Sequence, residues 1–360
     1  MTGPLRTRPA YGDVGRYLVD QSPVAVDLRD NTNLWGVPPA AARAIASAAT
    51  AVSRYPRIYA AELKNALAEY VGVSAEMIVT GCGSDDVLDA ALRAIADPGE
   101  RMAHLDPTFP TAITFARMNG LVPIGVPFTA DWDADVDALL ATGARVIYLC
   151  SPNNPTGTII ARASLARIVE HAAGVVVVDE AYAEYAPSSA IDLARSSNRL
   201  LVLRTMSKAF GLAGLRVGYA IGAPDLVAEV EKSRGPYKVS VVAERAAVAA
   251  LSTDIDWVQS RVAETIVNRR QFAALLGTLG LSPLPSAANF LFVPTPNAVA
   301  LERALWKRGV GVRLYRGLTG IGDAIRMTVG PWNLMVALIR GLEQAIEHAE
   351  HTEATVVGAP

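Results

Sequence analysis

Val175-Val176-Val177-Val178-Asp179-Glu180-Ala181-Tyr182-Ala183-Glu184-Tyr185 is the stretch that decides the fold class. Four valines in a row, with no alternation of polar and apolar positions, predict a strand buried on both faces. Such strands belong to parallel sheets covered by helices on each side. In open parallel α/β sheets ligands bind past the carboxyl ends of the strands, so Asp179 and Tyr182 stand where chemistry is expected. Read alone, Asp179 is equally well a helix cap, and Tyr182 a core aromatic with its hydroxyl at the surface.

Outward from this run, short apolar segments alternate with longer helical patterns, the signature of βαβ units. Strands are predicted at 77–80, 101–105, 146–150, 175–178, 200–203 and 217–220. Their ends carry unusual loops. After 146–150 comes Ser151-Pro152-Asn153-Asn154-Pro155-Thr156-Gly157, a rigid turn that presents the Asn154 amide. After 77–80 comes Gly81-Cys82-Gly83-Ser84-Asp85-Asp86, a glycine-rich entry to a helix whose free N–H groups and dipole suit a phosphate. After 200–203 comes Arg204-Thr205-Met206-Ser207-Lys208, with Arg216 eight residues past the lysine. A lysine between small hydroxyls, beside an arginine, has the makings of a carbonyl-binding amine next to an anion site. That combination points to pyridoxal phosphate, which captures a lysine as a Schiff base. Each loop has a plain explanation by itself: a capped connection, an ordinary turn, a surface lysine. Four loops at one sheet edge do not share one.

Helical patterns at 243–251 and 257–279, then strands at 290–293 and 325–329, predict a second, smaller α+β domain, with Gly235-Pro236-Tyr237 as the joint. The expected organisation is an arm with part of the small domain at 1–37, a large domain at 38–240, the small domain at 241–350, and a frayed tail at 351–360. The 360 residues are 51% hydrophobic and 19% charged, as in an ordinary soluble globular protein. A net charge of -2 and a pI near 6.1 leave no electrostatic footprint for nucleic acid or an anionic membrane, so the expected partner is a small molecule. No secretory h-region opens the chain and no apolar run reaches spanning length, which reads as cytoplasmic. Cys82 and Cys150 are too few for a disulfide framework and lack metal-ligand spacing; both are expected to be reduced thiols, and no metal is expected.

In their order and spacing, the PNNPTG run from Pro152, the Asp179-Glu180-Ala181-Tyr182 element and the stretch from Arg204 to Tyr219 carry a resemblance. They resemble fold-type I pyridoxal-phosphate aminotransferases of the histidinol-phosphate aminotransferase branch. The resemblance covers nearly the whole chain, through Arg54-Tyr55-Pro56, Asp106-Pro107-Thr108-Phe109, Ser286 to Phe290, Arg313 and Arg326. It implies a large, mostly parallel α/β/α domain, a smaller α+β domain and pyridoxal 5'-phosphate as cofactor.

Lys208 is then the imine-forming residue and afterwards the acid and base at the substrate carbon. Asp179 pairs with the ring nitrogen. Asn154 and Tyr182 hydrogen-bond the phenolic oxygen, and Phe109 stacks on the ring. Gly83, Ser84, Asp85, Thr205, Ser207 and Arg216 surround the phosphate, while Tyr55 reaches it across a homodimer interface. Asn33, Arg313 and Arg326 face the substrate. The implied partners are an amino donor and a 2-oxo acid, L-histidinol phosphate and 2-oxoglutarate in the leading case. An aromatic amino-acid aminotransferase and a threonine-phosphate-decarboxylase-like lyase are the alternatives. The chain departs from the family pattern at Asn31-Thr32-Asn33-Leu34-Trp35-Gly36, at Lys238 and at Pro331-Trp332, which leaves the substrate open.

Overall fold

The valine run lies at the middle of a seven-stranded sheet. The computed structural model describes residues 7–12, 14–16, 18 and 21–357, with 348–357 described by their backbone alone. Among the described residues the strands are β1 (Val26–Asp27), β2 (Ile78–Cys82), β3 (Arg101–Asp106), β4 (Val122–Pro127), β5 (Val146–Cys150), β6 (Val175–Asp179), β7 (Leu200–Thr205), β8 (Val217–Gly222), β9 (Phe290–Pro294), β10 (Val310–Gly311), β11 (Arg313–Leu318) and β12 (Gly322–Thr328). The large sheet has the order β2-β8-β7-β6-β5-β3-β4, and β8 alone runs against its neighbours.

Successive residues of a strand point to opposite faces, and β6 uses both. Val176 and Val178 enter one apolar cluster, with Leu149, Val202 and Leu165, while Val175 and Val177 enter another, with Tyr148, Leu201 and Leu92. Each buried valine contributes roughly 1.5–3 kcal/mol of transfer free energy. An uninterrupted apolar run is therefore stable here and would be a liability on a one-faced sheet.

The predicted strands of this sheet are all present, most of them one or two residues longer than expected. β4 was not anticipated. Its Val122-Pro123-Ile124-Gly125-Val126-Pro127 places two prolines in a sheet edge, where a missing N–H is tolerated but the apolar alternation is masked.

A three-stranded antiparallel sheet, β11-β12-β9, and the parallel pair β1-β10 form the smaller α+β part. It packs around Phe272, Leu291, Ile325, Met327 and Leu338. The helix Val241–Thr253, expected to open the small domain, packs instead into the core beneath the large sheet, through Ala243, Ala246, Ala247 and Ala250. The next helix, Ile255–Thr278, places Val258 and Val262 in that core and Phe272 and Leu276 in the small one. On packing grounds we propose that the division falls within this helix rather than at 240. The final helix runs Trp332–Val357, past the point at 351 where a frayed tail was expected; 358–360 lie outside the described residues.

One close approach positions the site. Gly218 on β8 lies against the turn that starts the helix Ser84–Ile95: a Cβ there would sit 2.0 Å from the Ser84 nitrogen. Gly218→Ala must push backbone against backbone, with an expected loss of roughly 3 kcal/mol and weaker cofactor binding. Urea denaturation together with cofactor titration checks this; a variant as stable as the parent would contradict it.

Candidate active site

β5, β6 and β7 run parallel and end side by side, with Cys150 opposite Asp179 and Asp179 opposite Leu203. Neighbouring strands lie about 4.8 Å apart, so their ends form a row. Because β8 is antiparallel to β7, residues 206–216 leave and re-enter the sheet at the same edge, which keeps Ser207, Lys208 and Arg216 there. β2 pairs with β8 from the other side and delivers the Gly83-Ser84 turn. A cavity of about 110 Å³ opens along this row. Ser84, Asp85, Phe109, Asn154, Asp179, Tyr182, Thr205, Ser207, Lys208 and Arg216 line it.

The hydrogen bonds inside it leave specific groups to offer. Asn154 Oδ1 accepts from Arg326 Nη1 at 2.6 Å, which fixes the amide's orientation and leaves its hydrogens free to donate to a ligand. The Tyr182 hydroxyl accepts from the Asn31 amide at 3.0 Å, which turns its own hydrogen toward another acceptor. Asp179 is buried and accepts from the Tyr148 hydroxyl at 2.8 Å and from the Ala181 backbone N–H at 3.0 Å. Burial pushes its carboxyl up to about 6, against the lowering effect of those two donors. Asp85 is likewise raised by burial, opposed by Arg216 and Lys208.

At the other end of the row, Thr205 Oγ1 donates to Ser207 Oγ at 3.0 Å, and Arg216 lies 3.3 Å from the Asp85 carboxylate. Gly83 has φ of 85°, and a Cβ on it would lie 2.6 Å from Arg216 Nη2. The turn thus brings a guanidinium, two hydroxyls and a helix N-terminus together, a cradle for an anion.

Lys208 Nζ donates to the Asp30 carbonyl at 2.9 Å and lies 5.9 Å from the centre of the Tyr182 ring. Burial, then the charge of Arg326, pull its amine down to about 8. About one amine in ten is therefore neutral at pH 7, against fewer than about one in a thousand for an ordinary lysine.

Residues 24–338 match the family described as aminotransferase class I and II. The chain belongs to that family. A histidinol-phosphate aminotransferase of Roseiflexus castenholzii is 40% identical over 322 residues, 85% of each chain. An aromatic amino acid aminotransferase of Corynebacterium glutamicum is 36% identical over 321 residues, 86% of this chain and 91% of that one. The crystal structure of histidinol-phosphate aminotransferase from Sinorhizobium meliloti in complex with pyridoxal-5'-phosphate matches with a TM-score of 0.88 at 26% identity, covering 97% of this chain and 99% of that chain. The enzyme thus has the fold-type I architecture.

A second cavity of about 400 Å³ adjoins the first and shares Phe109, Asn154, Tyr182 and Lys208 with it. It adds Asp30, Asn31, Arg313, Tyr315 and Arg326. Arg326 is buried, bonded through Nη1 to Asn154 and to the Tyr315 hydroxyl at 2.8 Å, and through Nη2 to the Arg29 carbonyl at 2.6 Å. Its Nε is buried without a partner among the described residues. Arg313 pairs with the Asp30 carboxylate.

Some candidates lie elsewhere in the aminotransferase. Asn33 does not line either cavity: its amide donates to the Ala209 carbonyl at 2.8 Å and its oxygen accepts from the Trp35 backbone, so both ends are spent on the chain. Asn31, two residues earlier and with φ of 53°, takes the place at the cavity. Tyr55 is 83% exposed and stacks on Tyr237 at 4.9 Å, outside the cavities of its own chain.

Of the departures marked in the sequence, Asn31 lines the second cavity, whereas Trp35, Lys238 and Trp332 line neither. Trp35 is held through Asn33, Lys238 pairs with Asp86 at 2.8 Å, and Trp332 packs on the small core. Sequence reasoning passed over Tyr148, Asp30, Asn31 and Tyr315. For Tyr148 a signal existed: a tyrosine two residues before a strand end that faces Asp179 across one strand spacing. Among the described residues no cluster of His, Cys, Asp or Glu suits a metal, and no helix is long and apolar enough to cross a membrane.

Proposed function

We propose that the chain is a pyridoxal-phosphate-dependent aminotransferase that exchanges an amino group between L-histidinol phosphate and 2-oxoglutarate, working as a cytoplasmic homodimer. The observation that carries the cofactor reading is the direction of the donors. Asn154 and Tyr182 each already accept one hydrogen bond that orients them, and both can offer hydrogens to one ligand oxygen, which suits a phenolate. Buried Asp179 suits a protonated ring nitrogen, and the Thr205, Ser207, Arg216 and Ser84 cradle suits a phosphate. Bound there, pyridoxal phosphate supplies an aldehyde that takes up the amino group and a ring that draws electrons from the reacting carbon.

The chain's own residues do the rest. Lys208, with its lowered proton affinity, can give up and take back a proton at Nζ near neutral pH, which is what a shift at the substrate Cα needs. Asp179 keeps a positive charge on the ring nitrogen by its own negative one. Phe109 covers a face and excludes water. The orphaned Nε of Arg326 and the Arg313 guanidinium are donors for substrate anions, a carboxylate or a phosphate alike.

The homodimer reading is supported by Tyr55, which is exposed, stacks on Tyr237 and leaves the cavities of its own chain, while Val52 and Ile58 nearby in sequence are exposed apolar residues as well. Two free thiols, Cys82 and Cys150, suit a reducing compartment.

Identity to the Roseiflexus enzyme supports L-histidinol phosphate as donor. The rings of Phe109, Tyr182 and Tyr315 around the second cavity, together with the Corynebacterium relative, favour aromatic amino acids as the second reading. Half-reactions followed by the cofactor's absorbance separate them. L-histidinol phosphate is expected to exceed phenylalanine in kcat/KM by at least about tenfold. The reverse order moves the reading to the aromatic class, and carbon dioxide release from threonine phosphate moves it to a lyase.

A further inference from the structure

The second cavity holds one carboxylate among its cations. Among its lining residues Lys208, Arg313 and Arg326 are positive and Asp30 alone is negative. The Asp30 carboxylate pairs with Arg313, and more than half of its side chain remains exposed. It is nevertheless not a loose surface group. The Asp30 carbonyl accepts from Lys208 Nζ, and the Arg29 carbonyl before it accepts from Arg326. After it, the Asn31 N–H donates to Thr328 Oγ1 at 3.0 Å, and the Asn31 amide to Tyr182. Three consecutive residues are thus fastened to the site, and the middle one holds its charge over the cavity.

We propose that Asp30 sets the choice between substrate tails: by occupying Arg313 it admits uncharged tails and makes a second anionic group compete for the guanidinium. An apolar ring packed over an unpaired arginine would bury a charge without a partner, a cost that Asp30 removes. An anionic tail finds Arg313 already taken and faces the Asp30 charge as well. A phosphate, carrying up to two charges, overcomes this more readily than a carboxylate does. The inference rests on the substrate site proposed above and names which tails it favours.

The test uses holoenzyme and two unreactive ligands that share a carboxylate and differ in tail: glutarate and 3-phenylpropionate. Calorimetric dissociation constants are compared for the parent and Asp30→Asn, which keeps the backbone carbonyls that hold Lys208 and Arg326. Asp30→Asn is expected to bind glutarate about fivefold tighter and 3-phenylpropionate about twofold more weakly, a tenfold change in their ratio of order. Asp30→Glu should keep the parent's ratio. In an Arg313→Met background, Asp30→Asn should change the ratio by less than about twofold. If both ligands shift equally, or neither shifts, or glutarate binds more weakly, the role of Asp30 is overturned while the substrate site stands. If the parent binds neither ligand, the site reading itself falls, and Asp30 with it.

Discussion

Replacing Lys208 with alanine is expected to lower turnover by at least about 10⁴-fold while cofactor still binds. The amine is pulled down to about 8, and its position between Tyr182 and the Asp30 carbonyl places it at the junction of the two cavities, whereas Asp179 lines only the first. Neither Asn154 nor Tyr182 can replace it, since burial holds the tyrosine well above the ordinary phenol range and an amide does not exchange protons. The anion cradle of Thr205, Ser207, Arg216 and the helix N-terminus is untouched by the change, so a fluorescence titration should still show cofactor bound. Residual turnover within about a hundredfold of the parent would mean that another group moves the proton.

Asp179→Asn is expected to separate chemistry from stability. Loss of the charge facing the ring nitrogen should lower kcat by roughly 10³-fold, with a smaller effect on KM, because the carboxylate acts on charge that develops during reaction. The cofactor-free protein should respond in the opposite sense. Its Asp179 carboxyl lies at about 6, above the ordinary 3.8, so the folded state holds this proton more tightly than the unfolded chain does. The residue's contribution to stability is therefore fully present below about pH 4 and lost as pH rises through about 6. The shift corresponds to about 3 kcal/mol. Cofactor-free Asp179→Asn should accordingly melt higher than the parent at pH 7.5 and show no such gain at pH 4. Equal differences in Tm at the two pH values would show that the buried charge is not the cause.

Much of this was readable before the structure, for identifiable reasons. The valine run of β6 could be buried only on two faces, and that alone implies a covered parallel sheet. Loops at strand ends could be searched for chemistry, which found Lys208, Asp179, Asn154 and Arg216. Hidden were the features that depend on direction rather than position. Asn31 and Asn33 differ by two residues, and only the left-handed turn at Asn31 decides which amide meets Tyr182. Tyr148 sits inside a strand, and its bond to Asp179 follows from the register that sets Tyr148 opposite Val177 and Cys150 opposite Asp179. β11 reads Arg313-Leu314-Tyr315-Arg316-Gly317-Leu318, half charged or glycine, with a register shift against β12, so no alternation marks it. Punctuation and packing also point to different places for a division: the Gly235-Pro236 break suggests a joint there, and the alanine face of the following helix packs into the large core, on which ground we propose the later one.

The edge position of β2 bears on the order in which the molecule is made. Its sheet neighbour is β8, and residues 83–216 lie between them in the chain. During synthesis the apolar Ile78 and Val79 therefore leave the ribosome long before the strand that pairs with them, as an open edge able to join other chains. The parallel strands β3 to β7 can assemble in that interval, but the phosphate cradle cannot, because its turn rests on Gly218. The cradle is thus complete only once β8 has been made, and until then β2 has no neighbour in its sheet.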